Sequence, residues 1–365
     1  MLFRSPSPDL LPVALFRECM DGFLGSAQPL DFNYGETQGD ARFRASLAEF
    51  LTQHHGSPVS ADALFLTNGN SQALDFACDR FTQPGDTVFV EEPSYFLAFQ
   101  VFRDHGLNIV SIPVDEKGMD LQAFEAELAR QVPALVYTIP SYNNPCGVNL
   151  SEERRDRLVT LSEQHGFIIA ADEVYQLLGY RGVTPSAMGT RVERGRILSM
   201  GSFSKILAPG LRLGWIETNS DLMEVMLDSG WVNSGGSVNH VTSHIVRYAM
   251  DSGLQAMHME TLRKAYRLRL ETMHEALESH FRGIARWRCP DGGYFFWLHV
   301  PDCDDTSPLR SAALSEGVGF MPGPLFSASG DLGAYFRLSF AHYDEAQIAQ
   351  GIKTLGKVFS GRGRV

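Results

Sequence analysis

The segment Gly201-Ser202-Phe203-Ser204-Lys205-Ile206-Leu207-Ala208-Pro209-Gly210-Leu211-Arg212 puts hydroxyls, an amine and a guanidinium on one short turn between apolar runs. A lysine amine forms an imine with an aldehyde. Hydroxyls and a guanidinium hold a phosphate dianion. Ser202, Ser204, Lys205 and Arg212 together can grip one molecule that carries both groups. Taken alone, S-x-S-K is also an ordinary loop sequence. Arg212, which opens the apolar run Leu213-Gly214-Trp215, favours the binding reading.

An imine works as an electron sink when it is conjugated to a ring whose nitrogen stays protonated, and that needs a carboxylate. Asp172 ends the run Phe167-Ile168-Ile169-Ala170-Ala171. That places it at the carboxyl end of a buried strand, where ligands of open α/β sheets bind. A carboxylate there is costly unless paired; the other reading is a helix cap leading into Glu173-Val174-Tyr175. Leu66-Thr67-Asn68-Gly69-Asn70-Ser71 reads as a strand, a glycine turn and a helix start. Free amides at such a start attract anions, although Asn70 or Ser71 can equally cap a plain helix. No nucleotide-binding glycine loop is present. Asn143-Asn144-Pro145-Cys146-Gly147 sets an amide at a strand end, a weak signal by itself. In Tyr335-Phe336-Arg337-Leu338-Ser339-Phe340, strand alternation turns Arg337 away from Phe336, Leu338 and Phe340. In isolation it reads equally as a solvent-facing charge.

These groups need a scaffold. Strand-like runs at 63–67, 87–90, 108–112, 134–138, 167–171 and 196–200 alternate with helical patterns at 71–81, 95–105, 121–130 and 151–165. The alternation predicts an α/β fold with a mostly parallel sheet sandwiched by helices. The strands are apolar throughout, as expected when both faces are buried. Past residue 235 the character changes to long helices at 237–251 and 255–281. Strands follow at 286–288, 294–299 and 335–340, with helices at 308–316 and 344–359. A large domain over 33–235 is expected. A smaller α+β domain would combine 236–365 with an N-terminal arm, 1–32.

The chain has 365 residues, 44% hydrophobic, and a formal charge of −12. That permits sizeable cores and argues against nucleic-acid or anionic-membrane partners. Cys19, Cys78, Cys146, Cys289 and Cys303 are widely spaced without C-x-x-C, so neither a disulfide framework nor a zinc cage is indicated. No leader-like segment and no long apolar run is present, so a cytoplasmic protein without a membrane span is expected. His240 and His244 stand four apart on a predicted helix without H-E-x-x-H; they read as packing residues, and no metal is expected. Arg263, Lys264, Arg267 and Arg269 read as a solvated helix face.

The motifs follow one another as T-x-G-N-S-Q-A, E-E-P-S-Y, N-N-P-C-G, D-E-V-Y, S-F-S-K-I-L-A-P-G-L-R-L-G-W, G-G-Y-F-F-W and F-R-L-S-F-A. In that order, from about 32 to 356, the chain resembles the class I/II aminotransferases of the aspartate-aminotransferase fold. Within them it is most similar to the 2-aminoadipate/kynurenine branch. The resemblance implies pyridoxal 5'-phosphate, carried on Lys205 as a Schiff base, and transfer of an amino group from an L-amino acid to a 2-oxo acid. It implies that Lys205 shuttles the proton and Asp172 meets the ring nitrogen. Tyr175 and Asn144 would bond the phenolic oxygen, and Tyr95 would stack on the ring. Gly69, Asn70, Ser71, Ser202, Ser204 and Arg212 would hold the phosphate. Arg337, with Asn144, would take the substrate carboxylate. Tyr34 would reach the neighbouring site of a homodimer. The chain departs from the family pattern at Ser71, Asn143 and Cys146, and none of these removes a group the chemistry needs. Two other readings share the motifs. One is a different pyridoxal-phosphate reaction: a β-eliminating lyase, cyclase, decarboxylase or oxidase. The other is the ligand-sensing part of a transcription regulator, which would need a basic helix-turn-helix upstream, where motifs starting near residue 32 leave no room. No second arginine is marked as a side-chain clamp; Arg4 and Arg17 are the candidates.

Overall fold

The structure, a computed structural model, describes residues 6–361. Its larger sheet is built from β1 (Leu64–Thr67), β2 (Thr87–Glu92), β3 (Asn108–Asp115), β4 (Gly118–Met119), β5 (Leu135–Thr138), β6 (Ile168–Asp172), β7 (Ile197–Ser202) and β8 (Gly214–Glu217). The order across the sheet is β1-β8-β7-β6-β5-β2-β3-β4. From β7 to β3 every pairing is parallel. β8 is antiparallel to both β7 and β1. β8 reverses direction and β1 reverses it again. The carboxyl ends of β1, β2, β5, β6 and β7 therefore lie along one edge of the sheet.

The strands lack polar alternation because both faces are covered. Val88, Val90, Leu135, Tyr137, Ile168, Ala170, Leu198 and Met200 belong to one core. The intervening Phe89, Val136, Ile169, Ala171 and Ile197 belong to the other. Period-two alternation thus sorts residues between two cores instead of between core and water. It also sets Tyr137 and Asp172 on the same face.

The smaller sheet is antiparallel and contains β9 (Arg286–Trp287), β10 (Phe295–His299), β11 (Met321–Pro322) and β12 (Tyr335–Ser339), in the order β11-β12-β10-β9. The helices Leu254–His280 and Glu345–Ser360 pack together beside it. Phe296, Phe336, Met273 and Phe359 join the same core as the larger sheet's first face.

Two expectations need correction. Arg212 does not open a strand: it sits at φ 48°, in the left-handed region, just before β8 begins at Gly214. Arg269 is not solvated: it is 3% exposed, pairs with Asp9 at 2.9 Å and donates to Ala341 O at 3.2 Å. Within the stretch expected as an N-terminal arm, 1–32, lies the helix Val13–Ser26. Among the described residues, no helix is long and apolar enough to cross a membrane. All five cysteines are free.

Candidate active site

A cavity of about 350 Å³ opens at the carboxyl edge of the large sheet, within the usual size range for small-molecule sites. Asn70, Ser71, Tyr95, Asn144, Asp172, Tyr175, Ser202, Ser204, Lys205 and Arg212 all line it. Asn70 and Ser71 open the helix Asn70–Phe81, and the others come from the end of a strand or a connecting loop.

Asp172 ends β6 and is 8% exposed. Its Oδ1 accepts from Asn70 Nδ2 at 2.8 Å and its Oδ2 from Tyr137 Oη at 2.9 Å. Burial pushes its pKa up, against the pull of Tyr137, Asn70, the Val174 amide and the Lys205 charge. A buried carboxylate held this way is completed by a cationic partner. Tyr137 was not singled out from sequence, because within Leu-Val-Tyr-Thr it reads as one more buried strand residue.

Lys205 lies just beyond β7. Its Nζ stands 5.6 Å from the centroid of the Tyr294 ring, and Tyr294 Oη donates to Lys205 O at 3.2 Å. The helix Asn70–Phe81 starts at Gly69 with no side-chain cap, so its first amides remain available to an anion. Gly69 takes φ 75°, and a Cβ there would lie 2.7 Å from Arg212 Nη2. Arg212 Nη2 donates to Asn68 O at 3.0 Å. Ser202 Oγ lies 2.9 Å from Ser204 Oγ. Two hydroxyls, a guanidinium and an uncapped helix start therefore converge where only glycine leaves space. Asn239, unnoticed in the sequence, braces this corner by donating to Arg212 O and to Asn68 Oδ1 at 3.2 Å.

Asn144 is placed by the buried Glu91, which accepts from Thr138 Oγ1, Ile139 N and Asn143 Nδ2 at 2.7, 2.9 and 2.7 Å. Arg337 Nη1 donates to Asn144 Oδ1 at 2.7 Å. Arg337 is 2% exposed, with its guanidinium carbon 4.0 Å from the Phe295 ring centroid and 4.8 Å from that of Phe326. It is therefore not the solvent-facing strand charge it could have been. Tyr175 packs edge-on to Tyr294 and Phe295. Tyr34 does not line the cavity and is 85% exposed. Arg17 is exposed as well, and Arg4 lies outside the described residues.

These groups fit pyridoxal phosphate: an amine for the aldehyde, a buried carboxylate for the ring nitrogen, and an anion cradle walled by Gly69 and Arg212. Residues 15–355 match the family model "Aminotransferase class I and II". The chain is 33% identical to aromatic-amino-acid aminotransferase 1 of Thermococcus litoralis, over 96% of this chain and 85% of that one. It is 29% identical to the uncharacterized HTH-type transcriptional regulator YdfD of Bacillus subtilis, over 96% of this chain and 71% of that one. The crystal structure of Pyrococcus horikoshii kynurenine aminotransferase, in complex with PMP, superposes with a TM-score of 0.93 at 31% identity, covering 100% of this chain and 91% of that one. The chain belongs to the class I and II aminotransferases, enzymes that use pyridoxal phosphate to pass an amino group between amino acids and 2-oxo acids.

Proposed function

We propose that the cavity is the transamination site and that the amino donor is an aromatic or long aliphatic L-amino acid. The carrying observation is that Lys205, Asp172 and Asn144 line one cavity and that the buried Arg337 donates to Asn144 from behind it. Bound pyridoxal phosphate supplies an aldehyde carbon and an electron-accepting ring. Asp172 would hold the ring nitrogen protonated. Lys205 Nζ would take the proton from the amino acid's Cα as general base. Tyr175 and Asn144 would hold the phenolic oxygen, and Tyr95 would restrain the ring. Gly69, Asn70, Ser71, Ser202, Ser204 and Arg212 hold the phosphate. Arg337 grips the substrate carboxylate through two N–H groups, oriented by Asn144.

The donor class follows from the walls. The charged lining residues are Asp172, Lys205 and Arg212, and each is assigned to the cofactor. The substrate side chain then meets Leu74, Leu97, Ala98, Val101 and the tyrosines. Relatives named for aromatic amino acids and kynurenine support this reading. The protein would act in the cytoplasm as a homodimer, with 33–235 as the cofactor domain and the remainder as the small domain. Leu30, Phe32 and Tyr34 are 76%, 56% and 85% exposed. An apolar patch of this kind supports a subunit contact that carries Tyr34 towards the neighbouring site.

The test is a half-reaction panel of L-amino acids against the holoenzyme, with products identified by mass spectrometry. Aromatic and long aliphatic donors should yield their 2-oxo acids on the order of tenfold faster than L-aspartate. Faster conversion of L-aspartate would overturn the donor class. Release of ammonia or carbon dioxide in place of transamination would overturn the reaction.

A further inference from the structure

Away from the cavity, one cluster joins residues from three parts of the chain. His240 and His244 lie one turn apart on the helix His240–Asp251, with their Nε2 atoms 3.4 Å apart. Asp40 caps the helix Ala41–His55, and Asp31 lies in the turn Pro29–Phe32. Asp40 Oδ2 and Asp31 Oδ1 stand 3.8 and 3.9 Å from His244 Nε2. One donor atom each from Asp40, His240 and His244 falls within 4.8 Å of the others. Arg42 Nη2 sits among them, 2.6 Å from Asp31 Oδ1, 3.2 Å from Asp40 Oδ2 and 3.5 Å from His244 Nε2.

Several observations point to a ligand. Each carboxylate is oriented through its other oxygen: Asp40 Oδ1 accepts from Phe43 N at 2.9 Å, and Asp31 Oδ2 from Gln28 N at 2.8 Å. Ligands anchored in this way are what metal centres require. His244 is 1% exposed, and its Nδ1 has no hydrogen-bond partner among the described residues. Its Nε2 meets His240 and Arg42 only at 3.4 and 3.5 Å. Nε2 is the ring atom that faces the cluster, and its contacts there are long enough to leave room for a closer partner. Two nitrogens bound to one tetrahedral zinc at about 2.0–2.1 Å stand about 3.3–3.4 Å apart, which is the spacing found here. Finally, Arg42 brings one positive charge to two carboxylates. A divalent cation in its place would balance both, and the Arg42 side chain is 50% exposed, so its guanidinium can turn out to water.

We propose that His240, His244 and Asp40 form a site for a borderline divalent transition metal, zinc above all, for which Arg42 competes, with Asp31 beside it as the carboxylate that holds Arg42. Mixed imidazole and carboxylate donors suit such ions. The role is a clamp. The ion ties the cap of the helix Ala41–His55 to the start of the helix His240–Asp251. The residue before that helix, Asn239, braces Arg212, so the clamp stands one residue from a support of the cavity. Packing alone explains two histidines on a helix. It does not set Asp40 Oδ2 within ligand distance of both imidazoles.

The experiment titrates zinc chloride into chelator-treated holoenzyme, with retained zinc counted by elemental mass spectrometry after desalting. Wild-type protein should keep one zinc per chain. His240→Gln, at a half-buried position where the swap is conservative, should weaken binding roughly tenfold or more. Arg42→Met should tighten it by a similar factor, because the competing cation is gone. Zinc should raise the unfolding temperature of wild-type protein more than that of His240→Gln. Three results overturn the proposal: no zinc retained by wild-type protein, equal binding by His240→Gln, or no tightening in Arg42→Met. The loss in one variant and the gain in the other separate this site from adventitious binding by thiols. Neither variant touches the cavity, so transamination should continue in both.

Discussion

Tyr137 Oη donates to Asp172 Oδ2 at 2.9 Å, on a carboxylate whose other oxygen accepts from Asn70 Nδ2 at 2.8 Å. Both donors favour the ionised form, against burial, which pushes its pKa up. Tyr137→Phe removes one donor and leaves a buried carboxylate oxygen without it. A hydrogen bond to a charged group is worth about 1.5–3 kcal/mol, so single-turnover transamination should slow by roughly ten- to a hundredfold, with the fold intact by circular dichroism. An unchanged rate would remove Tyr137 from the account of Asp172.

Arg337 is held between Phe295 and Phe326 and points one N–H at Asn144. Lysine in its place keeps the charge but loses the planar fork and the stacking. Arg337→Lys should raise KM for the amino donor by about tenfold or more while leaving the cofactor's absorbance unchanged. A normal KM would place the carboxylate anchor elsewhere.

Gly69 combines φ 75° with an approach that would set a Cβ 2.7 Å from Arg212 Nη2. Gly69→Ala meets both backbone strain and a clash with a proposed phosphate ligand. At about 1–3 kcal/mol for such strain, cofactor affinity should fall roughly five- to a hundredfold, as read by equilibrium titration of the apoenzyme. Wild-type affinity would mean that the phosphate does not lie in this corner.

Glu217 is 3% exposed, its Oε2 lacks a hydrogen-bond partner among the described residues, and Glu173 adds a like charge. Burial first, then Glu173, pushes its pKa up to about 8 from an ordinary 4.5. The folded state therefore keeps a proton that the unfolded chain releases. Stability contributed by this group falls as pH rises from 4.5 to about 8, then levels off. Glutamine is neutral throughout. Glu217→Gln should gain on wild type across that window, by at most a few kcal/mol. Thermal midpoints near pH 5 and near pH 8.5 test the sign. A difference that stays constant with pH would contradict it.

What was legible in the sequence was whatever sits at a strand end or repeats with a clear period. Lys205, Asp172, Asn144 and the Gly69–Ser71 turn all follow apolar runs, so their placement on one edge could be read from the order of runs and turns. Tyr137 was hidden because a buried tyrosine in a strand has the same pattern as its apolar neighbours. Arg269 was misplaced because helical periodicity ranks a charge as outward-facing. It cannot register that Asp9, from the far end of the chain, comes to meet it. Arg212 reads as a strand residue until its backbone is seen in the left-handed region. No local pattern can register that Asp31 and Asp40, some two hundred positions away in sequence, come beside the His240–His244 pair.

Lys205 as the cofactor's attachment point is the central claim. The most direct measurement is borohydride reduction of the holoenzyme, followed by proteolysis and peptide mass spectrometry. The account predicts a pyridoxyl phosphate mass on the peptide carrying Lys205 and none in Lys205→Ala. The same mass on Lys117, Lys264, Lys353 or Lys357, or on no lysine in wild-type protein, would contradict it.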